Sequence, residues 1–398
     1  MLRVRSAIGA LGRSVIPCLA VLALLQACVS TPRLAYTEDE AKLAVIEGFS
    51  GIRIWADAPS DAFIRSSLRP VPQPGKPFTY LALSGGGGEG AYGAGILAGW
   101  TAAGTRPEFT IVSGVSTGAL IAPFAFLGSR YDGILKELYT SGIASTFVEG
   151  PNPVRAVFGP ALFSRAPLRE AVSRYATPEL LAAIAAEHAK GRRLLVVTTN
   201  LDSDRAMIWD MGAIAATPSP RALGLFQDVI TASASIPVVF PPMLIDAVAG
   251  GHHFQEMHVD GTVTTPVFTF PDNFLLRPDS APRLTGPRPQ LFILMNNRID
   301  PTFHVIEDVA PYVAMRSFST KNKQDARGIL SATYELAQRN HLSFNLTYID
   351  KSTPETSGTG FDTDYMRALY AHGYAKGTAG DFWIHAPPTA AGTPVAMR

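Results

Sequence analysis

Cysteine is almost absent. The chain of 398 residues has only Cys18 and Cys28, both near the N-terminus. Neither a disulfide framework nor a Cys-rich metal site can serve the rest of the chain. Its chemistry therefore falls to hydroxyls, carboxylates and imidazoles. Charge is sparse as well: charged residues make up 17 %, and 34 Lys+Arg against 33 Asp+Glu leave a formal net charge of +1. That excludes the basic excess of a nucleic-acid binder. An apolar content of 47 % excludes a disordered or acidic-tail protein. The 35 Gly and 31 Pro follow no period, which excludes collagen. The length allows one large domain or two of ordinary size.

Long apolar runs are missing too. Val15 to Leu25 carries no charge and follows Arg3, Arg5 and Arg13. It is short for a membrane span and of the right length for a signal-peptide core. Leu25-Gln26-Ala27-Cys28 resembles the bacterial lipobox, in which cleavage before Cys leaves a lipid-modified N-terminus; the alternative is an ordinary signal peptide with an incidental Cys. Cleavage there would remove residues 1–27 and leave Cys28 as the sole cysteine of the mature chain. Val29 follows it where an Asp would signal inner-membrane retention. By that resemblance the protein is expected in the cell envelope, anchored on the periplasmic side of the outer membrane.

Residues 28–77 read as a lead-in and proline connector. Thr37 and Glu40 fit a capping box, Gly51 to Trp55 a short strand, and Pro70, Pro72, Pro74 and Pro77 a stiff link. The pattern then changes. Tyr80 to Leu83 predicts a buried strand, Ser84 to Gly88 a glycine turn and Ala91 to Ala102 a helix. Phe109 to Val112 predicts a second strand, Ser113 to Gly118 a second turn and Ala119 to Leu127 a second helix. This alternation predicts an α/β fold with a mostly parallel sheet flanked by helices. Further strands are expected at Leu194 to Thr198, Leu291 to Met295 and Ser343 to Ile349. Further helices are expected at Pro178 to Lys190, His304 to Phe318, Ala326 to Arg339 and Asp364 to Lys376, the last stopped by Gly377. Pro271 to Pro289 reads as a surface loop. The catalytic core is expected over 78–273, with 274–398 completing the same domain.

Gly114-Val115-Ser116-Thr117-Gly118 matches the nucleophile elbow G-x-S-x-G. So sharp a strand-to-helix turn leaves no room for side chains two residues either side of Ser116. Gly85 to Gly88, with Glu89 and Gly90, is a second turn between a strand and a helix. Its run of amides at a helix N-terminus suits an anion, either a phosphate or an acyl oxyanion. Gly85, Gly87 and Gly90 also satisfy G-x-G-x-x-G, the dinucleotide fingerprint. That motif wants an acid at the far end of the next strand, whereas Glu108 precedes it. An ordinary α/β-hydrolase would place its oxyanion glycines much farther upstream. Here the two turns are one βαβ unit apart, which puts them side by side at one sheet edge.

Downstream, His258-Val259-Asp260-Gly261 follows a stretch rich in glycine and histidine. Taken alone, Asp260 reads as a turn residue. His252, His253, Glu256 and His258 invite a metal reading, but they fit no zinc-protease spacing. If this stretch is extended, Glu256, His258 and Asp260 share a face; no metal or cofactor is expected.

The glycine loop, the elbow and the later Asp-Gly together resemble the patatin-like phospholipase family, over roughly Tyr80 to Pro271. Ser84 to Gly87, Gly90-Ala91-Tyr92 and Gly95-Ile96-Leu97 are similar to its first motif. The resemblance implies a patatin-like α/β/α fold and a Ser–Asp dyad performing acyl transfer without histidine. Residue by residue it implies Ser116 as nucleophile, Asp260 as base, and the amides of Gly85, Gly86 and Gly87 as oxyanion donors. Gly90, Gly114, Gly118 and Gly261 are its remaining motif positions. Two departures stand out: Glu89 where many members have a basic residue, and Thr262 where Ala or Gly is usual. The implied substrate is a phospholipid or other acyl ester. The rivals are a catalytically silent lipid-binding envelope protein that keeps the fold, and a nucleotide-binding oxidoreductase.

Overall fold

The computed structural model describes residues 33–71, 75–148, 150, 161–281, 289–353 and 360–388. The leader and Cys28 lie outside the described residues. Among the described residues nine strands form one sheet: β1 Arg53–Trp55, β2 Thr79–Leu83, β3 Ile111–Val115, β4 Arg193–Asn200, β5 Arg205–Asp210, β6 Met243–Ala249, β7 His252–Asp260, β8 Gln290–Met295 and β9 Ser343–Tyr348. The order is β1-β5-β4-β3-β2-β8-β9, with β7 on the end of β4 and β6 on β7. Strands β4, β3, β2, β8 and β9 are parallel. All residues of β2, β3 and β4 are buried, which is why each has an apolar run rather than an alternating pattern. Alternate residues feed two cores. Leu81 and Leu83 face one, Tyr80 and Ala82 the other.

Described helices of eight residues or more are α1 Gly90–Ala102, α2 Thr117–Leu127, α3 Asp132–Thr140, α4 Ala166–Tyr175, α5 Pro178–Ala189, α6 Ala222–Ser233, α7 Ala310–Arg339 and α8 Thr363–Ala379. No described helix is long and apolar enough to cross a membrane.

Several elements differ from the sequence-based expectation. The helices expected at His304 to Phe318 and Ala326 to Arg339 are the single helix α7, which starts at Ala310. The stretch between them is polar and exposed to half-buried, but contains no Gly or Pro to stop the helix. Helix α8 runs through Gly377 and is capped at Gly380, whose φ is +80°. Gly377 instead faces the backbone of Ile96 and Trp100 on α1. The stretch before Asp260 is a strand, with only Gly250 and Gly251 in its turn. Within Pro271 to Pro289 lies a short helix, Asp272–Leu276. The lead-in has its capping box at Thr37 and Glu40, and its strand β1 pairs antiparallel with β5 at the sheet edge.

Register sets the site. Leu83 pairs with Gly114, and Gly114 with Val196. The turns after β2 and β3 therefore emerge at the same sheet edge. Thr198 pairs with Asp260, so the antiparallel β7 delivers its last residue to that edge from the opposite direction.

Candidate active site

Ser116 follows β3 and opens α2, with φ 55° and ψ −123°. A non-glycine residue rarely holds this conformation; it stores on the order of 1–3 kcal/mol, which the surrounding packing must offset. A Cβ on Gly114 would strike the Gly118 carbonyl, and one on Gly118 would lie 2.5 Å from the Leu83 carbonyl oxygen. The elbow therefore closes only with glycine at both positions. Its backbone is held from outside as well: the Ser116 amide donates to Ser233 Oγ at 3.1 Å, and Ser233 donates to the Val197 carbonyl at 2.7 Å.

Ser116 Oγ donates to Asp260 Oδ2 at 2.6 Å, and neither residue is more than 3 % exposed. The other carboxylate oxygen accepts from the Thr262 amide at 2.8 Å and the Thr262 hydroxyl at 2.7 Å. Burial pushes the Asp260 carboxyl up to about 6, although the hydrogen bonds from Ser116 and Thr262 favour its charged form. Gly261 lets the chain pass the Val197 carbonyl, where a Cβ would clash. Thr262, a departure from the resembled pattern, thus orients the carboxylate, and Ser233 steadies the serine. A hydroxyl two residues after an Asp is a turn signal that could have pointed to Thr262; Ser233 carries no such signal.

The glycine loop is tied down by Ser84 and Asn296. Asn296 N donates to Ser84 Oγ at 2.7 Å and its side chain to the Ser84 carbonyl at 2.9 Å. One sequence-based assignment is corrected here. The Gly85 amide donates to the Pro266 carbonyl at 3.0 Å, so it cannot receive an oxyanion. The amides of Gly86 and Gly87 meet no acceptor among the described residues. Gly90 begins α1, so the loop lies at a helix N-terminus.

Ser116 and Gly87 form the polar end of a narrow cavity whose walls are apolar: Leu120, Leu138, Phe147, Leu168, Ile236 and Phe240 among them. Phe361 covers Gly87, its ring within 3.2 Å of where a Cβ would stand.

No imidazole is among the partners of Asp260. His258 is fully buried, with Nδ1 2.9 Å from Thr198 Oγ1 and Nε2 3.1 Å from Glu256. Arg53 of β1 donates to Glu256 at 2.5 Å. Burial raises the Glu256 carboxyl, but His258 and Arg53 outweigh it and hold the group at about 2. His252 pairs with Glu40 at the surface. Of the face-sharing trio, Glu256 and His258 meet each other, and Asp260 turns to Ser116 instead.

Residues 81–270 match the family model of patatin-like phospholipases. That span takes in the glycine loop, the elbow and Asp260. The architecture is the corresponding one, a mostly parallel central sheet flanked by helices. The sequence matches none of the curated proteins. Among solved structures, the crystal structure of VipD from Legionella pneumophila is similar at 13 % identity and a TM-score of 0.35, covering 78 % of this chain and 67 % of that one. A likeness of that size carries no argument about function.

Proposed function

We propose that this protein is a lipid acyl hydrolase of the phospholipase A or lysophospholipase type, working through a Ser116–Asp260 dyad. One observation carries the reading: a strained, buried serine that lines a narrow apolar cavity donates directly to a buried carboxylate. Asp260 takes the Oγ proton as Oγ attacks the ester carbonyl carbon. The amides of Gly86 and Gly87, at the N-terminus of α1, receive the oxyanion. Collapse expels the alcohol, which recovers the proton from Asp260. Water, deprotonated by the same carboxylate, then releases the fatty acid. The apolar side chains that line the cavity receive the acyl chain, and the cavity, about 20 Å³ in this structure, has to widen to admit it. A carboxyl raised to about 6 is a stronger base than an ordinary Asp and is still ionised at neutral pH. Anchoring through a lipid on Cys28, in the outer membrane, would keep the enzyme beside its substrate.

The test is a fluorophosphonate probe followed by peptide mapping. Wild-type protein is expected to carry the label on Ser116, and Ser116→Ala to lose both label and ester hydrolysis while remaining folded. Labelling elsewhere, or undiminished turnover in the variant, would overturn the assignment.

A further inference from the structure

The loop after β8 holds apolar side chains out in water. Ile299 is buried, and Thr302 is pinned from α7: Arg316 donates to its carbonyl at 2.5 Å and Lys323 to its hydroxyl at 3.0 Å. The next side chain, Phe303, is 95 % exposed, and Val305 is 76 % exposed. Val309, Tyr312 and Val313, where α7 begins, are exposed as well. Single exposed apolar residues are ordinary, but five between positions 303 and 313 mark an interaction surface.

Position and charge say what covers it. Strand β8 is parallel to β2, with Leu294 opposite Leu83, so this loop leaves the sheet at the edge that carries Ser116 and the glycine loop. Strand β4 is parallel to β3, so the β4–β5 turn leaves at that edge too. Leu201 in this turn is exposed, and Asp202 beside it holds Arg33 through hydrogen bonds of 2.6 and 2.7 Å. Leu34, next to Arg33, is exposed. The order β4-β3-β2-β8 therefore sets two apolar places on either side of the catalytic turns, three strand spacings or about 14 Å apart. Cys28 is five positions before Arg33, so the lipid proposed on it is attached within about 18 Å of the β4–β5 turn. Between Arg298 and Arg316 the chain has no Lys or Arg, only His304 against Asp300, Glu307 and Asp308. That balance disfavours an anionic surface and leaves an apolar phase under neutral headgroups.

We propose that Phe303, Val305, Val309 and Val313, with Leu34 and Leu201 across the site, form a docking surface for a lipid bilayer of zwitterionic headgroups. This rests on the acyl-hydrolase reading. An anchor alone ties the chain to a membrane in any orientation. The two apolar places fix the orientation and set the Ser116 edge of the sheet against the bilayer.

The experiment mixes the mature protein carrying Phe303→Trp with phosphatidylcholine vesicles, with and without bromine on the acyl chains. The native tryptophans, Trp55, Trp100, Trp209 and Trp383, are subtracted by the same measurement on wild type. Emission from position 303 is expected to shift to the blue and to fall by at least about twofold with brominated chains. It should do so at low and high salt alike, because apolar contact is not screened. Leu276→Trp is the control for the anchor and stays unquenched. Leu276 is exposed beside Arg339, at the end of α7 that leads into β9 and so at the opposite sheet edge.

Turnover gives a second readout, the ratio of kcat/KM for an acyl ester in those vesicles to that for a dissolved acyl ester. Phe303→Ser/Val305→Ser is expected to lower this ratio by at least about tenfold, the partition loss of one large apolar side chain, and to leave the dissolved-ester rate unchanged. An unquenched indole at position 303, quenching equal at positions 303 and 276, quenching lost at high salt, or an unchanged ratio overturns the docking surface. A blue shift without vesicles, together with a doubled mass by light scattering, makes this a face between two copies of the chain and overturns it too. If wild type cleaves neither ester, the acyl-hydrolase reading fails instead, and the quenching alone decides the surface.

Discussion

At the scale of single residues, Asp260 shows chemistry and stability in conflict. Its folded value of about 6 lies above the ordinary 3.8. The folded chain therefore holds an extra proton between those two pH values. The stability contributed by this group is fully present below about pH 4 and is lost as pH rises through 6. Asp260→Asn removes the buried charge yet keeps an acceptor for Thr262 and a group to meet Ser116. The variant is expected to be inactive and, at pH 8, more stable than wild type by on the order of 3 kcal/mol. Thermal melts at pH 4, 6 and 8 check this: the gain should vanish near pH 4, and no gain at pH 8 would mean the carboxylate is not penalised by burial. In wild type, kcat/KM should drop as pH falls through about 6, because only the ionised carboxylate is a base. Thr262→Val deletes one donor to Oδ1 and keeps the shape. The charged form loses support, so the acid limb should move up by about one pH unit. A limb that stays in place would remove Thr262 from the site.

Elements determine whether those residues meet. Helix α1 carries the glycine loop at its N-terminus and packs along α8 through small residues on both sides. Gly95 and Gly99 face the backbone of Tyr370 and Tyr374, while Gly373 faces that of Tyr92. The helices approach so closely that added side chains have nowhere to go. Gly99→Val should lower unfolding stability by about 2–3 kcal/mol through overpacking, read as a lower urea midpoint. An unchanged midpoint would mean that the two helices can separate without loss. Strand β7 is the other decisive element. Its pairing with β4 and β6 carries Asp260 to a serine 144 positions away in the chain.

For the whole molecule, the question is how the catalytic unit relates to its N-terminus. Arg33 forks onto Asp202 at 2.6 and 2.7 Å, Tyr36 donates to the same carboxylate, and Tyr36 stacks on Phe254 at 4.2 Å. The lead-in is therefore fastened to the β4–β5 turn and to β7 within a few residues of Cys28. Cys28→Ser should abolish incorporation of metabolic fatty-acid label and leave turnover of a soluble ester intact, since β3 and β7 do not depend on the anchor. A wild-type protein that takes up no label would refute the lipobox reading.

The glycines around Ser116, the small-residue face of α1 and the apolar runs of the central strands were legible in the sequence. Each encodes a local backbone demand, a sharp turn, a close approach or burial on both faces, that only certain residue types meet. The Asp–Ser contact could be anticipated only through resemblance, because nothing local to Asp260 distinguishes a base from a turn residue. Other features belong to tertiary structure alone. The Gly85 amide is taken by the Pro266 carbonyl, and the Ser233 hydroxyl steadies the Ser116 backbone. Hydrogen bonds and charge between residues so far apart in sequence arise from strand order and register. Those are settled by how the whole sheet buries its two faces, and no short motif records them.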